Sequence, residues 1–130
     1  MRGQVSIEFL LVFVAMLAFI SVFVGAFSTL QESSLLSLDI QNAKRFVKEL
    51  DNSSKTLSLL GEGSNKKFSY TILNSWEFKE IENNNFLIID SNERNVQLKL
   101  SKNIKLKNQN SFSKKFRVTL TKTSDELVLD

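Results

Sequence analysis

Three polar side chains at alternating positions, Gln4, Ser6 and Glu8, stand directly before a long apolar stretch. Residues 9–30 carry no charge, so Glu8 is the last ionisable group before a segment that a lipid bilayer would accept. A charged side chain at membrane depth costs about 2.5–3.5 kcal/mol or more, and such a residue is usually paired or functional. The chemistry that this acid predicts is therefore ion pairing or hydrogen bonding in an apolar environment.

Residue types that commonly carry out catalysis are scarce in this chain. It has no Cys, which excludes disulfides and cysteine nucleophiles, and no His, the most frequent general base and metal ligand. Glu77, Glu80 and Glu82 lie close in sequence, but they do not follow the spacing of a calcium-binding loop. We expect a protein that is not an enzyme and needs no cofactor.

The charge pattern also argues against nucleic acid as a partner. The net charge is only +3, and many lysines in the second half of the chain alternate with apolar residues. A nucleic-acid interface needs a basic face with aromatic or Arg side chains that read the bases. The lysines are better explained as the solvated faces of strands.

The apolar stretch is long enough to cross a membrane. In residues 9–27 only Ser21 and Gly25 interrupt the apolar character, and about 20 apolar residues in a helix span the ~30 Å core of a bilayer. Two ordinary interpretations are open. A removable signal peptide with Arg2 as its basic region and a cut after Ala26 would leave a secreted domain, although its apolar region exceeds the usual ~7–15 residues. A permanent single-span anchor would make the chain a membrane-anchored extracellular binding protein, with Glu8 near the favourable N-terminal end of the helix.

A third interpretation takes the polar residues together. The sequence GQVSIEF at residues 3–9 places a Gln-x-Ser-x-Glu pattern after a glycine and directly before the apolar helix. This pattern resembles the class III signal of archaeal type IV pilin-like proteins. The resemblance implies that a prepilin peptidase cuts between Gly3 and Gln4 and leaves the apolar helix on the mature protein. The leader would be residues 1–3, shorter than the basic leaders usual in the family.

The resemblance also implies a function and a set of partners. The chain would be a structural subunit of an archaeal type IV pilus-like filament, inserted in the membrane as a prepilin with a cytoplasmic N-terminus. It would then polymerise through its N-terminal helix into an extracellular surface filament. Its partners would be copies of itself or homologous pilin subunits, the prepilin peptidase, an assembly ATPase and a membrane platform protein.

A charge pair would explain Glu8 in such a filament. Cleavage before Gln4 creates an α-amino group with a pKa of about 8, and Glu8 lies one helical turn farther along. The amine of one subunit could then pair with Glu8 of its neighbour in a low-dielectric environment. Two alternatives stay open: Gln4 can cyclise, which would leave the Ser6 hydroxyl of a neighbour as donor, and Glu8 can be a first-turn acid without a partner.

The helix is predicted to continue beyond the apolar stretch, and the alternative is a short anchor followed by an independent helix. Residues 4–30 form the hydrophobic transmembrane and polymerisation segment, and residues 31–60 form an amphipathic continuation. The predicted apolar seam consists of Leu36, Ile40, Ala43, Val47, Leu50 and Leu57, widened by Phe46. The predicted polar face consists of Gln31, Glu32, Asp39, Gln41, Lys44, Arg45, Lys48 and Asp51.

Residues 61–130 alternate in the manner of strands and are predicted to form a β-rich extracellular head domain. Five to seven strands are expected, with Trp76 in the core and residues 86–89 as a central strand. Short connections favour an antiparallel sheet, and its apolar face would pack on the amphipathic half of the helix. The expected fold class is α+β, with one long N-terminal helix packed on a small antiparallel sheet.

One modification motif is present. Asn52-Ser53-Ser54 is an Asn-x-Ser sequence of the kind that accepts N-linked glycans on exposed surfaces. Its position near the predicted helix end makes Asn52 a candidate glycosylation site.

Overall fold

The computed structural model describes residues 2–92, 94–124 and 126–130, with side chains from residue 6 onward. In these residues one helix, α1 (Arg2–Ser58), precedes eight strands, one more than the upper end of the five to seven expected from the sequence. The predicted α+β class with one long N-terminal helix is therefore confirmed. The internal contacts divide the chain into two compact units, Met1–Leu35 and Leu36–Asp130.

The first unit is helical throughout its described part. Every side chain of residues 6–35 is exposed, and the helix is long and apolar enough to cross a membrane by length and composition. Aromatic rings four residues apart stack along its surface, with centroid distances of 6.5 Å for Phe9–Phe13 and 6.4 Å for Phe19–Phe23. Such pairs are neighbours on one helix face and give the helix modest local support.

The second unit contains all the strands, in two sheets of four. The strands are β1 (Asn65–Thr71), β2 (Ser75–Ile81), β3 (Asn84–Asp90), β4 (Asn95–Lys99), β5 (Ile104–Leu106), β6 (Ser111–Phe112), β7 (Lys115–Lys122) and β8 (Leu127–Leu129). Sheet A has the order β1-β7-β8-β5, and sheet B has the order β4-β3-β2-β6. The apolar strand β3 pairs with both β2 and β4, which confirms its predicted central position.

The sheets differ from the single antiparallel sheet expected from the sequence. The strands form two sheets, and β5 pairs with β8 in parallel, with Ile104 opposite Leu127. Parallel neighbours need a connection of about a dozen residues or more, and β6 and β7 supply it here. Short connections between successive strands favour antiparallel pairs, but they do not restrict strands that are distant in sequence.

The core of the second unit lies between the strands and the C-terminal half of α1. Alternate residues of β2 and β3 face it, among them Trp76, Phe78 and Leu87, as the period of a strand requires. From the helix, the predicted seam is confirmed: Leu36, Ala43, Phe46, Leu50 and Leu57 are buried, and Ile40 and Val47 pack against the same cluster.

The helix ends slightly before the predicted residue 60, at Ser58. The amides of Leu59 and Leu60 each bond to the carbonyl three residues earlier, so the last turn tightens. The Nζ of Lys122 donates to the carbonyl oxygens of Ser58 at 2.7 Å and Leu60 at 2.5 Å. A cation at this end also interacts favourably with the helix dipole, so Lys122 caps α1.

A strained turn between β6 and β7 gives a first stability prediction. Lys114 has a φ of 68°, a left-handed conformation that is unfavourable for residues other than Gly. We expect Lys114→Gly to raise the free energy of unfolding by about 0.5–1 kcal/mol, because the relief of strain exceeds the added chain entropy. The neighbouring Lys115→Gly, within β7, should lower it by a similar amount. Denaturant unfolding of the full chain in detergent measures both, and stabilisation by neither would contradict the role of the turn.

Candidate functional site

The structure places the polar residues of the N-terminal motif at the start of α1. Ser6 and Glu8 are helical and exposed, and the backbone of Gly3 and Gln4 is helical as well. Positions 4 and 8 are therefore one turn apart on one helix face, whereas Ser6 points elsewhere. Met1 and the side chains of residues 2–5, which include the predicted cleavage residues Gly3 and Gln4, lie outside the described residues.

The helix after Glu8 presents apolar side chains in all directions. Large side chains on different faces are exposed to similar extents, for example Phe9 at 71%, Leu17 at 49% and Val22 at 75%. Leaving apolar surface in water costs about 25 cal/mol per Å². A soluble monomer does not usually keep such an extended apolar surface in water. By its length and composition, this helix could cross a membrane.

The few hydroxyl groups in this segment are satisfied within the helix. Ser21 donates to the carbonyl of Leu17 at 2.9 Å, and Thr29 donates to the carbonyl of Gly25 at 3.2 Å. A hydroxyl that bonds to the preceding turn does not need water as a partner. These residues thus fit an apolar environment, and Glu8 is the ionisable group that does not.

Asp39 lies in the core of the second unit, not on the polar face where the sequence analysis placed it. Its side chain is fully buried, and its oxygens accept hydrogen bonds from the amides of Leu73 at 3.0 Å and Asn74 at 2.6 Å. The side-chain amide of Asn74 donates to the same carboxylate at 2.9 Å. The prediction for Asp39 was wrong because a charged residue was taken to face water. Its spacing, three residues after Leu36 and four before Ala43, was the signal that it shares their face.

Glu49, Tyr70 and Lys66 form a polar cluster between α1 and β1. The Tyr70 hydroxyl donates to Glu49 at 2.5 Å, and the Lys66 Nζ lies 3.3 Å from the other Glu49 oxygen. The hydrogen bond from Tyr70 holds the pKa of Glu49 below its usual value. Burial, together with the bond to Glu49, raises the pKa of Tyr70 to about 12. The cluster attaches the edge strand β1 to the helix.

This cluster predicts a pH dependence of stability. The pKa of Tyr70 is about 12 in the folded chain and about 10 when unfolded, so its contribution is complete below pH 10 and is lost as the pH rises through 12. The pKa of Glu49 is lowered, so its contribution is present above its unfolded pKa and is lost as the pH falls. We expect Tyr70→Phe to flatten both limbs of the profile and to cost about 1 kcal/mol at neutral pH. Unfolding curves across pH measure this, and an unchanged alkaline limb would contradict it.

The candidate glycosylation site lies on the helix instead of in a loop. Asn52 is exposed, but Ser53 and Ser54 are only 5% and 6% exposed. The hydroxyl of Ser54 donates to the carbonyl of Asp51 at 2.7 Å. The asparagine is therefore accessible in the folded chain, whereas the hydroxyl that completes the motif is not. Glycosylation of Asn52 stays a prediction.

The acidic side chains of the chain do not gather into a metal site where the structure describes them. Within residues 2–92, 94–124 and 126–130, no group of three or more acidic side chains is placed to hold a metal ion. Comparison with known proteins identifies no relative, because no family model, no curated protein and no solved structure matches the chain.

Proposed function

We propose that this chain is a structural subunit of a type IV pilus-like surface filament that polymerises through its N-terminal helix. The observation that carries the proposal is the apolar surface of residues 6–30, which is exposed on every side of the helix with the acid Glu8 at its beginning. This surface suits lipid before assembly and the helices of neighbouring subunits afterwards. The Gln-x-Ser-x-Glu motif supports the same proposal, because it resembles a prepilin peptidase signal.

In this assembly, Glu8 would form a specific contact between one subunit and the next. Removal of residues 1–3 leaves a free amine at Gln4, one turn before Glu8, so each subunit offers one cation and one anion at the same end of its helix. Pairing between staggered subunits satisfies a carboxylate that is costly to leave alone in lipid. The assembly ATPase and platform protein implied by the resemblance would drive the step from membrane to filament.

Determination of the mature N-terminus tests the proposal most directly. Protein from native membranes and from sheared surface fractions is analysed by intact mass and N-terminal sequencing. We expect a chain that starts at Gln4, with the helix retained, in the surface fraction. A start near residue 27 would show a secreted domain, and an uncut chain confined to the membrane would show a single-span anchor. Either result would overturn the proposal.

Substitution of Glu8 tests the charge pair. Loss of one partner of a buried ion pair costs about 3–5 kcal/mol, so Glu8→Gln and Glu8→Ala should weaken subunit addition by about a hundredfold or more. We expect few or no filaments of either variant by electron microscopy, with normal amounts in the membrane. Glu32→Gln is the matched control, since Glu32 is an exposed acid just after the apolar stretch. Normal filaments from both Glu8 variants would exclude the pair.

A further inference from the structure

Strand β4 is an edge strand whose backbone groups are open on one side. The amide of Leu100 bonds to the carbonyl of Asn85, and the amide of Ser91 bonds to the carbonyl of Arg94. These two bonds determine which residue pairs of β3 and β4 exchange hydrogen bonds. Since these pairs alternate along an antiparallel ladder, the backbone N–H and C=O groups of Gln97 point away from β3. The same holds for Lys99, so β4 can accept a further strand.

A groove runs beside this edge, between β4 and the helix. Its volume is about 490 Å³, and its lining residues are Lys44, Val47, Lys48, Asp51, Leu98, Lys99, Leu100 and Ser101. The floor is apolar, and three lysines border it. Asp51 pairs with Lys55 at 3.0 Å. The two helix lysines, Lys44 and Lys48, are exposed and lie one turn apart, so the groove offers two cations to an incoming strand.

The opposite edge of sheet B has an open segment as well. Strand β6 pairs only with Trp76 and Glu77 of β2, and the amide of Phe78 bonds to the carbonyl of Asn110. By the same alternation, the backbone groups of Glu80 point to this edge beyond the end of β6. The side chains of Glu80 and Glu82 are exposed there. The open segment of β2, residues 79–81, therefore carries the acid Glu80, and Glu82 follows it in the turn to β3.

The two open edges are complementary in charge, and their charged groups lie on the side of sheet B that the helix covers. Glu80 projects from the same face of sheet B as the buried Phe78, which is the face that the helix covers. A residue 79–81 strand added in parallel to β4 would place Glu80 on the helix side, toward Lys44 and Lys48. We propose that residues 79–81 of one copy add in parallel to β4 of a second copy, with Glu80 facing the helix lysines and Glu82 beside it in the following turn.

This contact joins different surfaces of the two copies, so it can repeat from one copy to the next instead of closing a dimer. It rests on the proposed function in one respect: assembly through the N-terminal helix would hold the copies side by side. The structure then assigns sheet B as the part that links neighbours laterally. Lysines at open edges often prevent pairing between copies. Here the acids of the opposite edge would neutralise them.

Cysteine cross-linking tests the contact in the full-length chain, which has no Cys of its own. Lys79→Cys and Gln97→Cys place exposed thiols on the outer face of the two edges. Within one copy, residue 79 lies on β2 and residue 97 on β4, and β3 separates these strands. The two Cα atoms are therefore roughly 10 Å or farther apart, which is too far for a disulfide. Mild oxidation of membranes and of sheared surface material should give a ladder of dimers, trimers and larger species with the double variant. Each single variant should give dimers at most.

Charge reversal makes the test specific. In the double-cysteine chain, Lys44→Glu with Lys48→Glu should remove the species above dimer, and so should Glu80→Lys with Glu82→Lys. All four changes together should restore the ladder. The matched control is Lys67→Glu with Lys115→Glu, two exposed lysines of sheet A, which should leave the ladder intact.

The outcomes separate this contact from the proposed function. Filaments without a ladder, or a ladder that the groove charges do not affect, would overturn the contact and leave the filament proposal standing. A charge-dependent ladder in membranes of a chain that forms no filaments would support the contact and contradict the proposed function. A charge-dependent ladder in sheared filaments would support both.

Discussion

Asp39→Ala is expected to lower the free energy of unfolding of the second unit by about 3–5 kcal/mol, because it removes a fully buried carboxylate and leaves three partly buried donors without their acceptor. The carboxylate accepts from two backbone amides and one side-chain amide in the connection between β1 and β2. The substitution removes all of these bonds at once. Asp39→Asn keeps the volume but turns one acceptor into a donor that faces other donors. We expect it to be destabilising as well, by about 2 kcal/mol.

The measurement is denaturant unfolding of the full-length chain in a mild nonionic detergent. Trp76 is the only tryptophan and is fully buried, so its fluorescence reports on this unit. Asp51→Ala is the matched control, since Asp51 is a helix acid with only a solvent-exposed pair to Lys55. It should change the free energy of unfolding by about 0.5 kcal/mol or less. Equal effects of the two alanine variants would show that the buried carboxylate does not hold the connection.

Phe46→Ala is the second substitution with a large expected effect. Phe46 is fully buried, and its ring meets those of Phe68, Tyr70, Phe78 and Phe116 at centroid distances of 5.4, 5.9, 6.3 and 4.8 Å. Truncation of a buried phenylalanine costs about 3–5 kcal/mol, from lost transfer energy and from the cavity that remains. The edge-to-face contacts with Phe68, Tyr70 and Phe116 of sheet A would also be lost, together with the tilted contact with Phe78 of sheet B.

The same unfolding measurement checks this prediction. Phe46→Leu fills most of the volume without the ring contacts, and we expect a smaller loss of about 1–2 kcal/mol. Phe19→Ala is the control in the first unit, where the ring is 72% exposed, and it should leave the unfolding of the second unit unchanged. A loss below about 1 kcal/mol for Phe46→Ala would contradict the central place of this ring.

The sequence predicts the elements of this fold better than their arrangement. The positions of Leu36, Ala43 and Leu50 indicate the buried helix face because a helix repeats every 3.6 residues, and the alternation around Trp76 indicates a strand by the same kind of argument. Neither periodicity indicates which strands pair with each other. The parallel pair of β5 and β8 and the division into two sheets depend on contacts between segments that are distant along the chain.

Polar contacts were predicted least well. Asp39 is buried because the β1–β2 connection supplies its donors, and Lys122 caps the helix because β7 ends beside it. Both depend on tertiary structure, which local sequence rules do not include. At the N-terminus the situation is reversed: Gln4, Ser6 and Glu8 stand out in the sequence alone, and the structure adds the exposure of Ser6, Glu8 and the helix behind them.

The position of β8 in sheet A also determines when this sheet can form. Residues 127–129 join β7 to β5, and β1 pairs with β7, where Asn65 lies opposite Thr121. At a synthesis rate of about 5–20 residues per second, β1 waits several seconds for its partner. Sheet A is therefore completed only after residue 129 has been made. Sheet B, whose last strand β6 ends at residue 112, contains neither β7 nor β8 and can be completed earlier.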